Sequence, residues 1–337
     1  MKLDKLFMMT MALFVFASTN CFAQGPSDSG EYYKAADGKK GAELKTALCG
    51  VIYNRTSERT YKQLWTDFQT TDVREDGKVW DMYSNITNFT FIEDQDKGSH
   101  NYEGKAYNRE HSFPKSWFGG EIMPMYTDLF HLYPTDGKVN ENRGDKPFGE
   151  TNGSDKNSAN DFSKIGTCTV EGFDGVVFEP NDIYKGDFAR TYFYMVTCYE
   201  EKLPDWINNG NANNTIDGSK YPGLQTWQLN MLLKWAMKDP VSEKEINRNN
   251  AVYSIQGNRN PFIDYPELER FIWGDLKDVA FSYDHYSTTG IENLQDDVQN
   301  DVPEAIYSPD GRRLEKMQRG LNIVRTKSRR TIKVVIK

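Results

Sequence analysis

Arg109-Glu110-His111-Ser112-Phe113-Pro114, followed downstream by Asp128-Leu129-Phe130-His131-Leu132-Tyr133-Pro134-Thr135-Asp136-Gly137-Lys138-Val139-Asn140-Glu141-Asn142-Arg143-Gly144, is the stretch on which the organisation of this chain turns. The interval 104–150 is rich in Gly, Pro, Asn and charge, the composition of ordered loops around a short hairpin and helix rather than of a core element. Within it a carboxylate adjoins an imidazole. In extended conformation Glu110 and His111 leave opposite faces of the chain, unless a bulge aims both into one cleft. A histidine of ordinary pKa is half neutral at about pH 6.5, which suits it to deprotonate water. Asn140 offers a hard amide oxygen of the kind Mg²⁺ prefers. Arg143, one helical turn further, shares its face and is placed to bind phosphate bidentately. A base, a cation site and positioning donors are what cleavage of a phosphodiester requires.

Working outward, helical periodicity runs through Ala42 to Ile52 and again through Tyr61 to Phe68. Val79 to Tyr83 and Phe89 to Ile92 read as short strands separated by a Ser/Asn turn. Gly186 to Met195 is predicted as a helix whose aromatic stripe faces the core, and Arg190, like Arg259, is read as held in a buried ion pair, with contact to phosphate as the alternative. Leu224 to Met237 is a second, ended by Asp239-Pro240, and Glu243 to Tyr253 and Glu267 to Trp273 are further helices. Asp128 and Asp136 read as caps or as partners behind the site, and His131 as a packed residue. The expected class is α+β, a mainly helical body around a small β element that carries the chemistry, with a small C-terminal β tail.

The ends carry different signals. Residues 1–23 have Lys2 and Lys5, an apolar run from Leu6 to Ala17 and Cys21-Phe22-Ala23 before Gln24, the pattern of a secretory signal cleaved near Ala23. Lipidation at Cys21 is the competing reading, and Asn20 before it disfavours that processing. No later segment reaches the roughly 20 apolar residues of a membrane helix. The mature chain is therefore expected to be periplasmic or extracellular, without stable membrane insertion, and monomeric. Residues 24–284 form the expected catalytic domain, 285–302 a linker rich in Asp and Asn, and 303–337 a β-rich tail around the turn Ser308-Pro309-Asp310-Gly311.

Charge weighs against extended binding of a polyanion, because the net value is -8 and residues 311–337 concentrate ten Lys/Arg against Glu315 alone. The body is more acidic still, so a local cationic focus and a metal must do the work. Beyond the signal, Cys49, Cys168 and Cys198 allow at most one internal disulfide, and none has the close spacing of a zinc thiolate site. His100, His111, His131 and His285 include no His-Glu-x-x-His, which excludes the common zinc hydrolase pattern.

The chain resembles the bacterial endonuclease I group of ββα-metal (His-Me finger) nucleases. The resemblance rests on Arg109 to Pro114 with Trp117, on Asp128 to Pro134 with Val139, Asn140 and Arg143, on Lys185 to Met195, and on Gln256 to Asp264, in family order across roughly residues 45 to 275. It implies a helical body around a ββα-metal motif, His111 as general base, and Glu110 with Asn140 as ligands of one Mg²⁺, for which Mn²⁺ or Ca²⁺ are candidate substitutes. It further implies cleavage of DNA, and often RNA, to 5′-phosphate ends. Some members carry a phosphate-binding arginine between the two motifs; here Lys115 to Thr127 holds none, so Arg109, Arg143 and Lys115 are its candidate replacements. Lys138, Arg259, His131 and Asp128 complete the set of candidate substrate-binding or supporting residues. The tail from Ile306 resembles the C-terminal sorting tails of exported bacterial proteins. The alternative function is an exported nucleic-acid-binding or surface-attachment protein without turnover, which the intact Glu110, His111 and Asn140 disfavour.

Overall fold

The computed structural model describes residues 31–284, 286, 303–308, 312–318, 320–326 and 331–336. The signal-like segment 1–23 and the linker expected at 285–302, apart from Tyr286, lie outside the described residues. The architecture is α+β. Helix α1 (Gly41–Ile52) buries Leu44, Leu48 and Ile52 at helical spacing, and α2 (Leu64–Thr71) buries Leu64, Phe68 and Thr71.

Strands β1 (Tyr107–His111) and β2 (Leu132–Asp136) pair antiparallel in unbroken register, from Tyr107 opposite Asp136 to His111 opposite Leu132. The last residue of β2 is also the cap of α3 (Gly137–Arg143): Asp136 Oδ1 accepts the N–H groups of Lys138 and Val139, each at 2.9 Å. The chain thus turns from strand into helix with no intervening loop, and the cap satisfies two otherwise orphaned donors. A second antiparallel pair follows, β3 (Lys164–Thr167) with β4 (Val176–Glu179).

The core is built around α4 (Lys185–Cys198), every residue of which is buried. A helix buried on all sides must be enclosed by others; α1 and α6 (Thr226–Lys238) pack against it. Gly186 makes one of these crossings feasible, because a Cβ there would lie 1.9 Å from the Asp239 carbonyl oxygen. The short α5 (Leu203–Trp206) precedes α6. Helix α7 (Glu243–Gln256) opens with a capping box of Ser242 and Glu245, and Glu245 also pairs with Arg190 of α4, as the sequence implied. Short helices α8 (Pro261–Asp264) and α9 (Leu268–Ile272) close the body. In the tail, β5 (Pro303–Tyr307), β6 (Arg313–Leu314), β7 (Gly320–Thr326) and β8 (Thr331–Ile336) form an antiparallel sheet in the order β6-β5-β7-β8.

One expectation differs from the structure. The runs 79–83 and 89–92 are not strands: Val79 makes only an isolated bridge to Val73. Asp81 accepts the Tyr83 N–H and the Thr87 hydroxyl, which folds the backbone back on itself, and the apolar residues serve as plugs. Met82 and Tyr83 enter the main core, while Val79 and Phe89 pack with Tyr107 in a smaller one. Cys49, Cys168 and Cys198 are all free thiols, within the limit of one disulfide that their number sets. Among the described residues no helix is long and apolar enough to cross a membrane.

Glu269 on α9 is buried and its Oε2 has no hydrogen-bond partner; burial pushes its carboxyl up to about 7. The folded state therefore holds a proton that the unfolded chain releases, and this contribution to stability falls as pH rises from about 4.5 to 7. Glu269→Gln is expected to remove that loss. Urea melts should show the variant more stable by on the order of 3 kcal/mol near pH 8 and little changed near pH 4; equal differences at both pH values would contradict the assignment.

Candidate active site

The alternation of β1 divides its side chains between two surroundings. Tyr107, Arg109 and His111 meet aromatic residues from α2, the turn before it and the segment after Pro124. Asn108 and Glu110 meet α3. No bulge turns them together, so the extended arrangement considered from sequence is the one found.

On the first side the His111 ring stacks on Tyr126, with centroids 5.3 Å apart and planes at 12°, and lies 6.0 Å from Tyr61 at 15°. His111 Nε2 is 3.0 Å from the Tyr126 carbonyl oxygen. A carbonyl only accepts, so Nε2 carries the proton and Nδ1 holds the free lone pair. Among the described residues Nδ1 has no hydrogen-bond partner. Burial, reinforced by His131, holds the His111 pKa well below its ordinary value. The imidazole is therefore neutral at physiological pH rather than half protonated at pH 6.5 as an exposed histidine would be.

Arg109, two residues away on the same face, lies flat against Tyr61 at 3.6 Å and Trp65 at 4.3 Å, and donates to the Tyr61 carbonyl at 2.7 Å. Among the described residues it forms no ion pair, whereas Arg55, Arg59, Arg190, Arg248 and Arg259 each hold a carboxylate. Lys115 lies 5.4 Å from the centre of the Tyr126 ring, in an exposed ion pair with Glu121 at 3.5 Å.

On the second side Glu110 is buried, and both of its protein contacts converge on Oε1: the Tyr83 hydroxyl donates at 2.8 Å, and Arg143 Nη1 forms an ion pair. Arg143 is itself fully buried; it donates also to the His111 and Ser112 carbonyls, at 3.2 and 2.7 Å, and rests on the Phe148 ring. Asn140 and Arg143 share a helix face, as their spacing predicts, but that face packs onto β1. The guanidinium expected to grip phosphate is instead consumed inside the protein. One turn back on the same face, Asn140 Nδ2 donates to Asn108 Oδ1 at 2.7 Å.

The other candidates fall into place around these. His131 is buried beside His111, ring centroids 5.4 Å apart, with Nε2 on the Met125 carbonyl at 2.7 Å and its pKa lowered by burial. Asp128 caps the turn at Phe130 and accepts from Arg55, Tyr194, Tyr199 and Gln256, a structural hub and not a substrate contact. Lys138 pairs with Glu141 on the outer side of α3. Arg259 is held by Asp264 and Asn250, and none of its bonds reaches β1, β2 or α3. Four residues escaped the sequence reading: Tyr61, Tyr83, Asn108 and Tyr126. Asn108 alone carried a local signal, as a polar residue two before Glu110 and hence on its face of an extended chain.

Two oxygens of the second side, Glu110 Oε2 and Asn140 Oδ1, accept no hydrogen bond among the described residues. Both are hard donors, neither is sealed in as an unsatisfied buried atom, and Oε2 belongs to a carboxylate whose other oxygen is already held. Among the described residues no group of three or more His, Cys, Asp or Glu could cage a metal by itself. Such a sparse oxygen set fits Mg²⁺, which keeps several waters, better than Ca²⁺ or zinc, which take fuller protein coordination.

The family model for Endonuclease I matches residues 40–267. Among curated proteins, an extracellular ribonuclease of Bacillus amyloliquefaciens is 36% identical over 268 residues, covering 77% of this chain and 84% of that one. An extracellular ribonuclease of Bacillus subtilis (strain 168) is 35% identical over 254 residues, 73% of this chain and 80% of its own. An extracellular deoxyribonuclease of Aeromonas hydrophila is 27% identical over 43% of this chain and 52% of its own.

Proposed function

The chain belongs to the endonuclease I family and is a nuclease, and from that premise we propose that it is an exported, divalent-metal-dependent endonuclease hydrolysing DNA and RNA with little sequence preference, leaving 5′-phosphate ends. The unit β1–β2–α3 is read as the ββα-metal motif of residues 24–284. The observation that carries the mechanism is the fixed tautomer of His111: Nε2–H is committed to the Tyr126 carbonyl, and Nδ1 is the open basic atom.

In this reading Nδ1 takes the proton of the attacking water, and the stacked rings of Tyr61 and Tyr126 keep the imidazole in place as it charges. Glu110 and Asn140 hold one Mg²⁺, which when bound neutralises charge on the phosphate and leaving oxygen. Arg109 is the phosphate partner, because among the described residues no carboxylate forms a salt bridge with it. Lys115 contributes at the rim. Export is supported by the signal-like N-terminus and by relatives named as extracellular.

Incubating the protein with supercoiled plasmid and with RNA, in Mg²⁺ or in EDTA, tests the reading: nicking and degradation are expected in Mg²⁺ alone. Arg109→Ala is expected to lower kcat/KM by about tenfold to a hundredfold and to reduce the slope of log(kcat/KM) against log[salt] by about one, the signature of one lost phosphate contact. An unchanged salt slope would remove Arg109 from that role.

A further inference from the structure

We propose that Asn108 is a positioning residue that selects which end of the Asn140 side chain faces the bound cation. The inference rests on the reading of Asn140 as a metal ligand and adds a residue to it. A side-chain amide is nearly symmetric in shape, but one end accepts and the other donates two N–H groups. Turned the wrong way, Asn140 would direct N–H dipoles at a cation. Nothing in α3 prevents this: Asn140 is half-buried, and among the described residues its one side-chain hydrogen bond is to Asn108.

In the structure the pair takes one of its two senses. Asn108 Oδ1 accepts Asn140 Nδ2–H at 2.7 Å, so Nδ2 is occupied and Oδ1 is the end left open. The geometry is set by the fold, since Asn108 lies two residues before Glu110 on the same face of β1, while Asn140 lies one turn before Arg143 on the face of α3 that packs there. Arg143 performs the corresponding service for Glu110, occupying Oε1 and leaving Oε2 open. Each ligand thus has one atom spent on the protein and one reserved, and each tether joins β1 to α3. Partners of this kind orient ligands, and their removal typically weakens metal binding by about 10–100-fold.

The test is calorimetric titration of the full chain with Mn²⁺, without nucleic acid. Asn108→Ala should bind Mn²⁺ about 10–100-fold more weakly at an unchanged Tm, and its cleavage of plasmid should return to within about threefold of wild type at saturating Mn²⁺. Asn108→Asp, whose carboxylate accepts the same N–H, should bind at least as tightly as wild type and keeps the proposal testable if the alanine variant folds poorly. Wild-type affinity in Asn108→Ala, or weakened binding in Asn108→Asp, overturns the proposal. Asn140→Ala separates the two levels: loss of Mn²⁺ binding there, with Asn108→Ala unaffected, rejects the role of Asn108 alone, whereas wild-type binding in both Asn140→Ala and Glu110→Ala rejects the ligand assignment and the proposal together.

Discussion

His111→Ala is expected to lower kcat/KM on supercoiled plasmid in saturating Mg²⁺ by about 10²–10⁴-fold, the usual contribution of a positioned general base. The imidazole is buried, neutral and presented through Nδ1, so removing it deletes the proton acceptor without unbalancing a charge. His111→Gln refines the comparison. Its amide can still donate to the Tyr126 carbonyl but takes up no proton, so a fall similar to that of alanine, at a Tm near wild type, assigns the loss to chemistry instead of packing. Activity above a tenth of wild type in either variant would show that another group accepts the proton.

The second large effect falls on stability. Arg143→Met should destabilise the protein by about 3–5 kcal/mol, because it strands the buried Glu110 carboxylate, takes the guanidinium from the His111 carbonyl and leaves the Ser112 carbonyl to the Tyr192 hydroxyl alone. Thermal melts should record a drop of roughly 10 °C. Pairing it with Glu110→Gln, which discharges the stranded group, should recover part of the loss; the double-mutant cycle would then show strong coupling between the two positions. Additive effects in that cycle would mean that Glu110 and Arg143 act independently, and the cross-brace between β1 and α3 would have to be abandoned.

The contrast between these two residues shows how far the sequence could be read. Local pattern was sufficient for α1, α4, α6 and α7, where apolar residues recur at helical spacing, and for the hairpin and helix of residues 107–143. It was sufficient also for the cap at Asp136, since an Asp-Gly step before a polar run is a local signal. Residues 79–83 alternate like a strand, yet their role depends on which pockets receive Met82 and Tyr83, and those pockets are built from distant segments. The same limit applies to the site. Tyr83 reaches Glu110, and Tyr61 reaches Arg109 and His111, through contacts no spacing rule encodes. For Arg143 the periodicity identified the correct face of α3, but a period carries no information on whether that face looks outward or inward.

Helix α7 gives the arrangement a temporal side. Arg248 donates to the carbonyls of Leu129 and Leu132, both at 2.7 Å, and Gln256 clasps the Leu129 N–H and the Asp128 carboxylate, so the start of β2 is braced by residues more than a hundred positions later in the chain. A polypeptide still being threaded across a membrane has already delivered His111 and Glu110 but not the struts that set them. On the exported reading, the start of β2 gains these struts only once the segment that holds Arg248 and Gln256 has emerged.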